Sequence, residues 1–125
     1  MGVVLVVDEA EYERTLSASI LLGAGHQVLS AETEDQALTV LDQRTPIDLL
    51  FTEISMWNNV HGGLVLAERA VSLQPKLPVL YTTGRGITVE MRNLFVPRFA
   101  FLGKPYGPQD LRKAVANVLT SLRYL

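Results

Sequence analysis

Hydrophobic residues along this chain fall into short unbroken runs that alternate with stretches of helical spacing. Val3–Val7 is apolar and β-branched throughout, Leu49–Glu53 and Val79–Thr83 open on apolar runs, and Phe99–Gly103 has the same length. Runs of this kind fit strands covered on both faces, where the polar alternation of a half-exposed sheet is lost. His26–Ala31 makes a weaker strand. Between the first two strands Tyr12, Leu16 and Ile20 recur every fourth position, predicting a helix with that stripe as its apolar face and Gly23 and Gly25 at its end. Thr33-Glu34-Asp35-Gln36 reads as a capping box, with Ala37, Leu38 and Leu41 behind it and Pro46 as the break. Leu64, Ala67 and Val71 mark a helix over about 64–74, and Pro75 and Pro78 bracket the turn that follows. Ile87, Met91, Leu94 and Phe95 allow a helix kept short by Gly84, Gly86 and Pro97. Pro108 followed by Leu111, Val115, Val118 and Leu122 makes the final helix the clearest.

Strand and helix thus alternate five times, without repeat or linker, which predicts an α/β protein with a parallel sheet and right-handed crossovers. The first strand, the most uniformly apolar, is expected at the centre. In such folds ligands gather at the carboxyl ends of the strands.

At 125 residues the chain reads as one domain, 1–125, with a core that needs no staple. Its 48% hydrophobic and 19% charged content is ordinary for a globular protein, and a net charge of −2 gives no general attraction to nucleic acid or anionic membrane. The lack of cysteine excludes disulfides, thiolate chemistry and Cys-ligated zinc. No leader and no apolar stretch of ~18 residues is present, so a cytoplasmic protein is expected.

Three of the apolar runs end on charge: Val7 leads into Asp8-Glu9, Thr52 into Glu53, and Gly103 into Lys104-Pro105. Neighbouring parallel strands would place three carboxylates and an ammonium together, the ingredients of a Mg²⁺ and phosphoryl site. Each signal has a plainer explanation. Asp8 or Glu9 can merely cap the next helix, Lys104 can be solvated, and Thr82-Thr83 can be ordinary strand residues. The Lys104-Pro105 bond is expected to be trans on base rates. His61 reads as a solvated loop residue, and with His26 on another element no histidine metal motif exists.

Order and spacing bind these signals together. The succession of acidic pair, acid, hydroxyl and Lys-Pro, each closing a strand, closely resembles the receiver domain of bacterial two-component response regulators, the CheY-like group. The resemblance covers essentially the whole chain. It implies a flavodoxin-like (βα)5 doubly wound sheet of strand order 2-1-3-4-5. By resemblance, Asp8 and Glu9 with the carbonyl of Ser55 match the Mg²⁺ ligands and Glu53 stands at the phosphoacceptor; the alternative to a bound Mg²⁺ is a Glu53–Lys104 ion pair that closes the pocket without metal. Thr83 then matches the switch hydroxyl, Lys104 the phosphate-contacting lysine, and Phe101 the aromatic whose rotation reports phosphorylation. The Phe-Thr-acid strand end looks most like the small stand-alone receivers of alphaproteobacteria.

Two departures alter what the resemblance implies. The family's acceptor is an aspartate, here replaced by Glu53, and the loop Met56–Gly63 is longer than usual, with Trp57 where a proline is common. One extra methylene moves the carboxylate by roughly 1.5 Å, a single C–C bond length. Displacement by ~1 Å can cost ~10²-fold in a transfer that depends on in-line positioning. The expectation is therefore an atypical, non-enzymatic signalling receiver, poorly phosphorylated, in which Glu53 reaches Lys104 or Thr83 directly. A phosphorelay receiver using an acid of the same pocket is the alternative. With Leu125 following directly on the last helix, output is expected to pass through a protein partner such as a sensor kinase or output protein, without nucleic acid or membrane. The expected surface includes Phe95, Val96, Phe99, Phe101, Tyr106, Arg112, Lys113 and Arg123, and it leaves room for a homodimer. About half of the group made up of Phe99 or Phe101 and the apolar stripe of the helix is expected in the core. A flavin or nucleotide module is disfavoured because the first turn, Asp8-Glu9-Ala10-Glu11, is acidic where a phosphate cradle needs glycine. A phosphohydrolase would require an aspartate nucleophile and a cap, and neither is evident.

Overall fold

The computed structural model describes residues 1–43 and 45–122, with side chains up to Ser121. Arg123 lies outside the described residues, as does the side chain of Leu122. Five strands, β1 (Val3–Val7), β2 (Gln27–Ala31), β3 (Leu49–Glu53), β4 (Val79–Thr83) and β5 (Phe99–Gly103), alternate with five helices. These are α1 (Glu11–Gly23), α2 (Glu34–Asp42), α3 (Gly62–Leu73), α4 (Val89–Asn93) and α5 (Pro108–Leu122). The sheet is parallel, in the order β2-β1-β3-β4-β5. This is the α/β flavodoxin-like topology expected. The central strand is β3 rather than β1. Uniform apolarity reports cover on both faces, and β4 is buried at every position as well, so composition does not rank the interior strands.

Alternate strand residues feed two cores. Leu5, Val7, Leu50, Val79 and Tyr81 pack with Leu41, Leu64, Leu66 and Met91 on the face covered by α2, α3 and α4. Val4, Val6, Leu49, Phe51 and Leu80 pack with Ile20, Leu21, Leu111 and Val115 from α1 and α5. In α2, Thr33 Oγ1 accepts from Gln36 N as a cap, whereas Gln36 Oε1 accepts from Glu32 N, one residue earlier than the reciprocal bond of a capping box.

The stripe expected on α1 is displaced. Tyr12 is 77% and Leu16 47% exposed, and the buried residues are Ser17, Ile20 and Leu21. The adjacent pair Ile20-Leu21 anchors the helix, so positions 17 and 13, one and two turns earlier, form the inner edge. That rotation carries Glu13 toward the end of the sheet.

Candidate functional site

Parallel pairing places the ends of β1, β3, β4 and β5 at one edge, with Glu53 opposite Thr82 and Thr83 opposite Gly103. Asp8 follows β1 and Lys104 follows β5. The Lys104 Nζ lies 2.9 Å from Glu53 Oε1, 3.5 Å from Asp8 Oδ2 and 2.5 Å from Glu13 Oε2. Glu53 and Lys104 are nearly enclosed, their side chains 12% and 16% exposed. The second Glu53 oxygen accepts from Ile54 N at 2.7 Å, with Ser55 N further off at 3.4 Å.

The charges answer to this geometry. Burial pulls the Lys104 ammonium down, but hydrogen bonds to Glu13 and Glu53 outweigh it and hold the group well above its usual range. Glu13 is lowered, chiefly by its hydrogen bond to Lys104. Asp8 is raised, because burial outweighs both the Ala10 N–H and the more distant Lys104 charge. Its Oδ1 accepts from Ala10 N at 2.9 Å, so this residue meets both the N-cap of α1 and the pocket. Arg14 braces the same loop by donating to the Asp8 carbonyl.

Glu9 is not in the lysine cluster. Its Oε2 accepts from Trp57 N at 2.9 Å, and the indole Nε1 donates to the Glu32 carbonyl. Trp57 and Asn58 both adopt the left-handed conformation, with φ of 58° and 56°, as a two-residue turn between the bridged Met56 and Asn59. Ser55 Oγ donates to the Val60 carbonyl within this loop. Thr83 accepts from Arg85 N at 3.3 Å; the described hydrogen bonds join it to neither Glu53 nor Lys104. The direct Glu53 contact is thus with Lys104. Gly63 allows α3 to start against β3: a Cβ there would meet the Glu53 carbonyl oxygen at 1.9 Å.

Glu13 and the Ser17–Tyr106 pair were missed by the sequence reading. The Ser17 Oγ and Tyr106 hydroxyl are 3.0 Å apart, and burial raises the Tyr106 phenol against the easing effect of that bond. The Ile20-Leu21 doublet was the available signal, since counting back from it sets the helix phase. The Lys104–Pro105 peptide is cis, contrary to expectation. On the C-terminal face Val96 is buried and Phe95 half-buried, stacked on Tyr81. Phe99 and Phe101 are both at the surface, 46% and 39% exposed, so the core share of the group expected there comes from the stripe residues Leu111 and Val115. They occupy β5, which ends the sheet beside β4. Arg112 and Lys113 are exposed and Tyr106 half-buried.

Fold and pocket together define a response-regulator-like signalling domain. The response regulator receiver domain model matches residues 4–116, and the chain belongs to that family. It is 26% identical to the chemotaxis protein CheY4 of Vibrio cholerae, whose structure superposes with a TM-score of 0.84, covering 95% of this chain and 99% of that one. NtrX of Brucella abortus is 30% identical with a TM-score of 0.84, covering 98% of this chain and 28% of NtrX. Among curated proteins, a putative NtrX-like response regulator of Rickettsia bellii is 27% identical over 86% of this chain, which spans 23% of that protein's length. Receiver domains are generally non-enzymatic and interact with sensor kinases and output domains. Among the described residues, no helix is long and apolar enough to cross a membrane.

Receivers typically bind Mg²⁺ in this acidic pocket. The donor arrangement here does not fit that ion. Glu9 is turned to Trp57, Asp8 and Glu53 each spend oxygens on a backbone N–H and on Lys104, and no three acidic or histidine side chains among the described residues are grouped to hold a metal.

Proposed function

We propose that this chain is an atypical receiver in two-component signalling, one that does not run on ordinary aspartyl phosphorylation and acts by binding protein partners. The observation that carries the reading is the 2.9 Å bond from Lys104 to Glu53, the residue at the acceptor position by family resemblance. Glu53 presents to Lys104 the oxygen that a phosphoryl group on an aspartate would present. A carboxylate carries one charge where a phosphoryl group carries nearly two. Thr83 is engaged with Arg85, so the imitation extends to the lysine and stops short of the hydroxyl. The pocket is accordingly pre-set rather than fully switched.

The partner face is the edge strand β5 with α4 and α5. Phe99 and Phe101 supply exposed apolar area and Arg112 and Lys113 a basic margin, suited to a partner with an apolar centre and an acidic rim, or to a second copy of the chain.

Incubation with acetyl phosphate and Mg²⁺, followed by intact mass, tests the central claim. Wild type should remain unmodified, and Glu53→Asp should gain phosphate. Stoichiometric phosphate on Glu53 of the wild type would favour the conventional relay and overturn this reading. A pull-down with wild type, Glu53→Asp and Glu53→Ala then asks whether partner choice follows the state of the pocket.

A further inference from the structure

We propose that the resident cation of this pocket is its own Lys104 ammonium, caged by carboxylates from three elements, and that the pocket takes no divalent ion while Lys104 and Glu53 are both in place. The inference rests on the pocket being the receiver pocket, and it adds which cation fills it and which residues decide that.

A lysine ammonium is a compact charge with three N–H donors. Three carboxylates approach it here: Glu13 from α1 at 2.5 Å, Glu53 from the end of β3 at 2.9 Å, and Asp8 from the end of β1 at 3.5 Å. The first two are hydrogen bonds, and the third is a longer ion pair. Mg²⁺ needs near-octahedral oxygens at roughly 2.0–2.1 Å and gives up its waters reluctantly. To admit it, carboxylate oxygens would have to leave the donors they already hold.

Two features of this chain commit oxygens that a divalent ion would need. The added methylene of Glu53 carries its carboxylate to Lys104, while Ile54 N holds the other oxygen. The Trp57–Asn58 turn points a backbone N–H at Glu9 and engages that carboxylate, while the indole donates to the Glu32 carbonyl. Glu13 is a positioning residue. Ser17, one turn later, is buried and bonded both to the Glu13 carbonyl and to Tyr106, which fixes the phase of the helix and hence the approach of Glu13 to Lys104. The upward pull of Glu13 and Glu53 on Lys104, against burial, agrees with this arrangement.

The test is titration of the full chain with MgCl₂ by calorimetry and thermal unfolding, against NaCl of equal ionic strength, in wild type, Lys104→Met, and Lys104→Met with Glu13→Gln. Wild type should show no binding heat and no Mg²⁺-specific rise in Tm up to about 10 mM, where a site of 1 mM Kd would add a clear shift. Lys104→Met, left with three uncompensated carboxylates, should gain a Mg²⁺-specific rise in Tm. Adding Glu13→Gln should weaken that response about tenfold in Mg²⁺ midpoint, which a purely structural glutamate would not do. Saturable Mg²⁺ binding by the wild type at or below 1 mM overturns the proposal, even if the variants do not fold. So does a folded Lys104→Met that ignores Mg²⁺. Neither result bears on the acetyl phosphate experiment, whose readout is mass on residue 53.

Discussion

Glu53 and Lys104 meet at 2.9 Å although they close strands that are not neighbours, since β4 lies between β3 and β5. Both side chains are largely shielded, so their attraction is less screened than that of a surface pair. Glu53→Ala should destabilise the fold by roughly 1–3 kcal/mol, below the cost of orphaning an isolated buried charge, because Asp8 and Glu13 keep the ammonium compensated. Glu53→Gln should cost less, since its amide oxygen still accepts from Lys104. Urea unfolding with an unchanged m-value is the measurement. An alanine variant as stable as wild type would mean that the pair contributes nothing.

The acid–lysine part of this site was legible because strand ends are legible. Val7-Asp8, Thr52-Glu53 and Gly103-Lys104 each mark where an apolar run meets charge, and parallel topology does the rest. The fate of Glu9 was not legible. It depends on the backbone direction of Trp57, set by two consecutive left-handed residues that no hydrophobic pattern encodes. Glu13 was hidden for a different reason. Tyr12, Leu16 and Ile20 offered a plausible stripe that masked the competing phase set by the Ile20-Leu21 doublet, in which Ser17 and Leu21 share the buried side with Ile20. Phe99 and Phe101 illustrate a third limit, as the strand type was clear while its position at the sheet edge decides exposure.

Gly63 lets α3 begin directly against the end of β3. Its N–H donates to the Ile54 carbonyl at 2.7 Å, and the space for a Cβ is taken by the Glu53 carbonyl oxygen at 1.9 Å. The obstruction is backbone, so it cannot rotate aside. Gly63→Ala should push α3 off the end of β3 and cost about 3 kcal/mol or more, within the range of severe overpacking. Gly23→Ala, where nothing lies within 4 Å, is the control and should change stability by less than about 1 kcal/mol.

Phe95 and Phe101 should behave oppositely. Phe95 stacks on the buried Tyr81 with centroids 4.4 Å apart and meets Phe99 at 5.0 Å. Phe95→Ala should cost about 2–4 kcal/mol by opening a cavity between them. Phe101 is 39% exposed, and Phe101→Ala should cost only about 1 kcal/mol while weakening capture of the partner. Thermal unfolding alongside the pull-down separates the two effects.

Alkaline pH should weaken the fold through Tyr81. Its side chain is fully buried on β4, and its hydroxyl accepts from Val96 N at 3.1 Å. Burial pushes the phenol up to about 12, partly eased by the Val96 N–H, from an ordinary value of 10.0. Below pH 10 both folded and unfolded chains keep the proton, so the contribution of this group is intact. Between about 10 and 12 the unfolded chain sheds it while the folded chain does not, and stability falls as pH rises, by roughly 2–3 kcal/mol over the window. Tyr106, also raised by burial, adds to the same slope. Tyr81→Phe should lose about 1–2 kcal/mol at neutral pH by orphaning the Val96 N–H, yet decline less steeply above pH 10. Urea unfolding at successive pH values from 8 to 12 reads both effects; parallel decline of wild type and variant would show that the buried phenol does not govern alkaline stability.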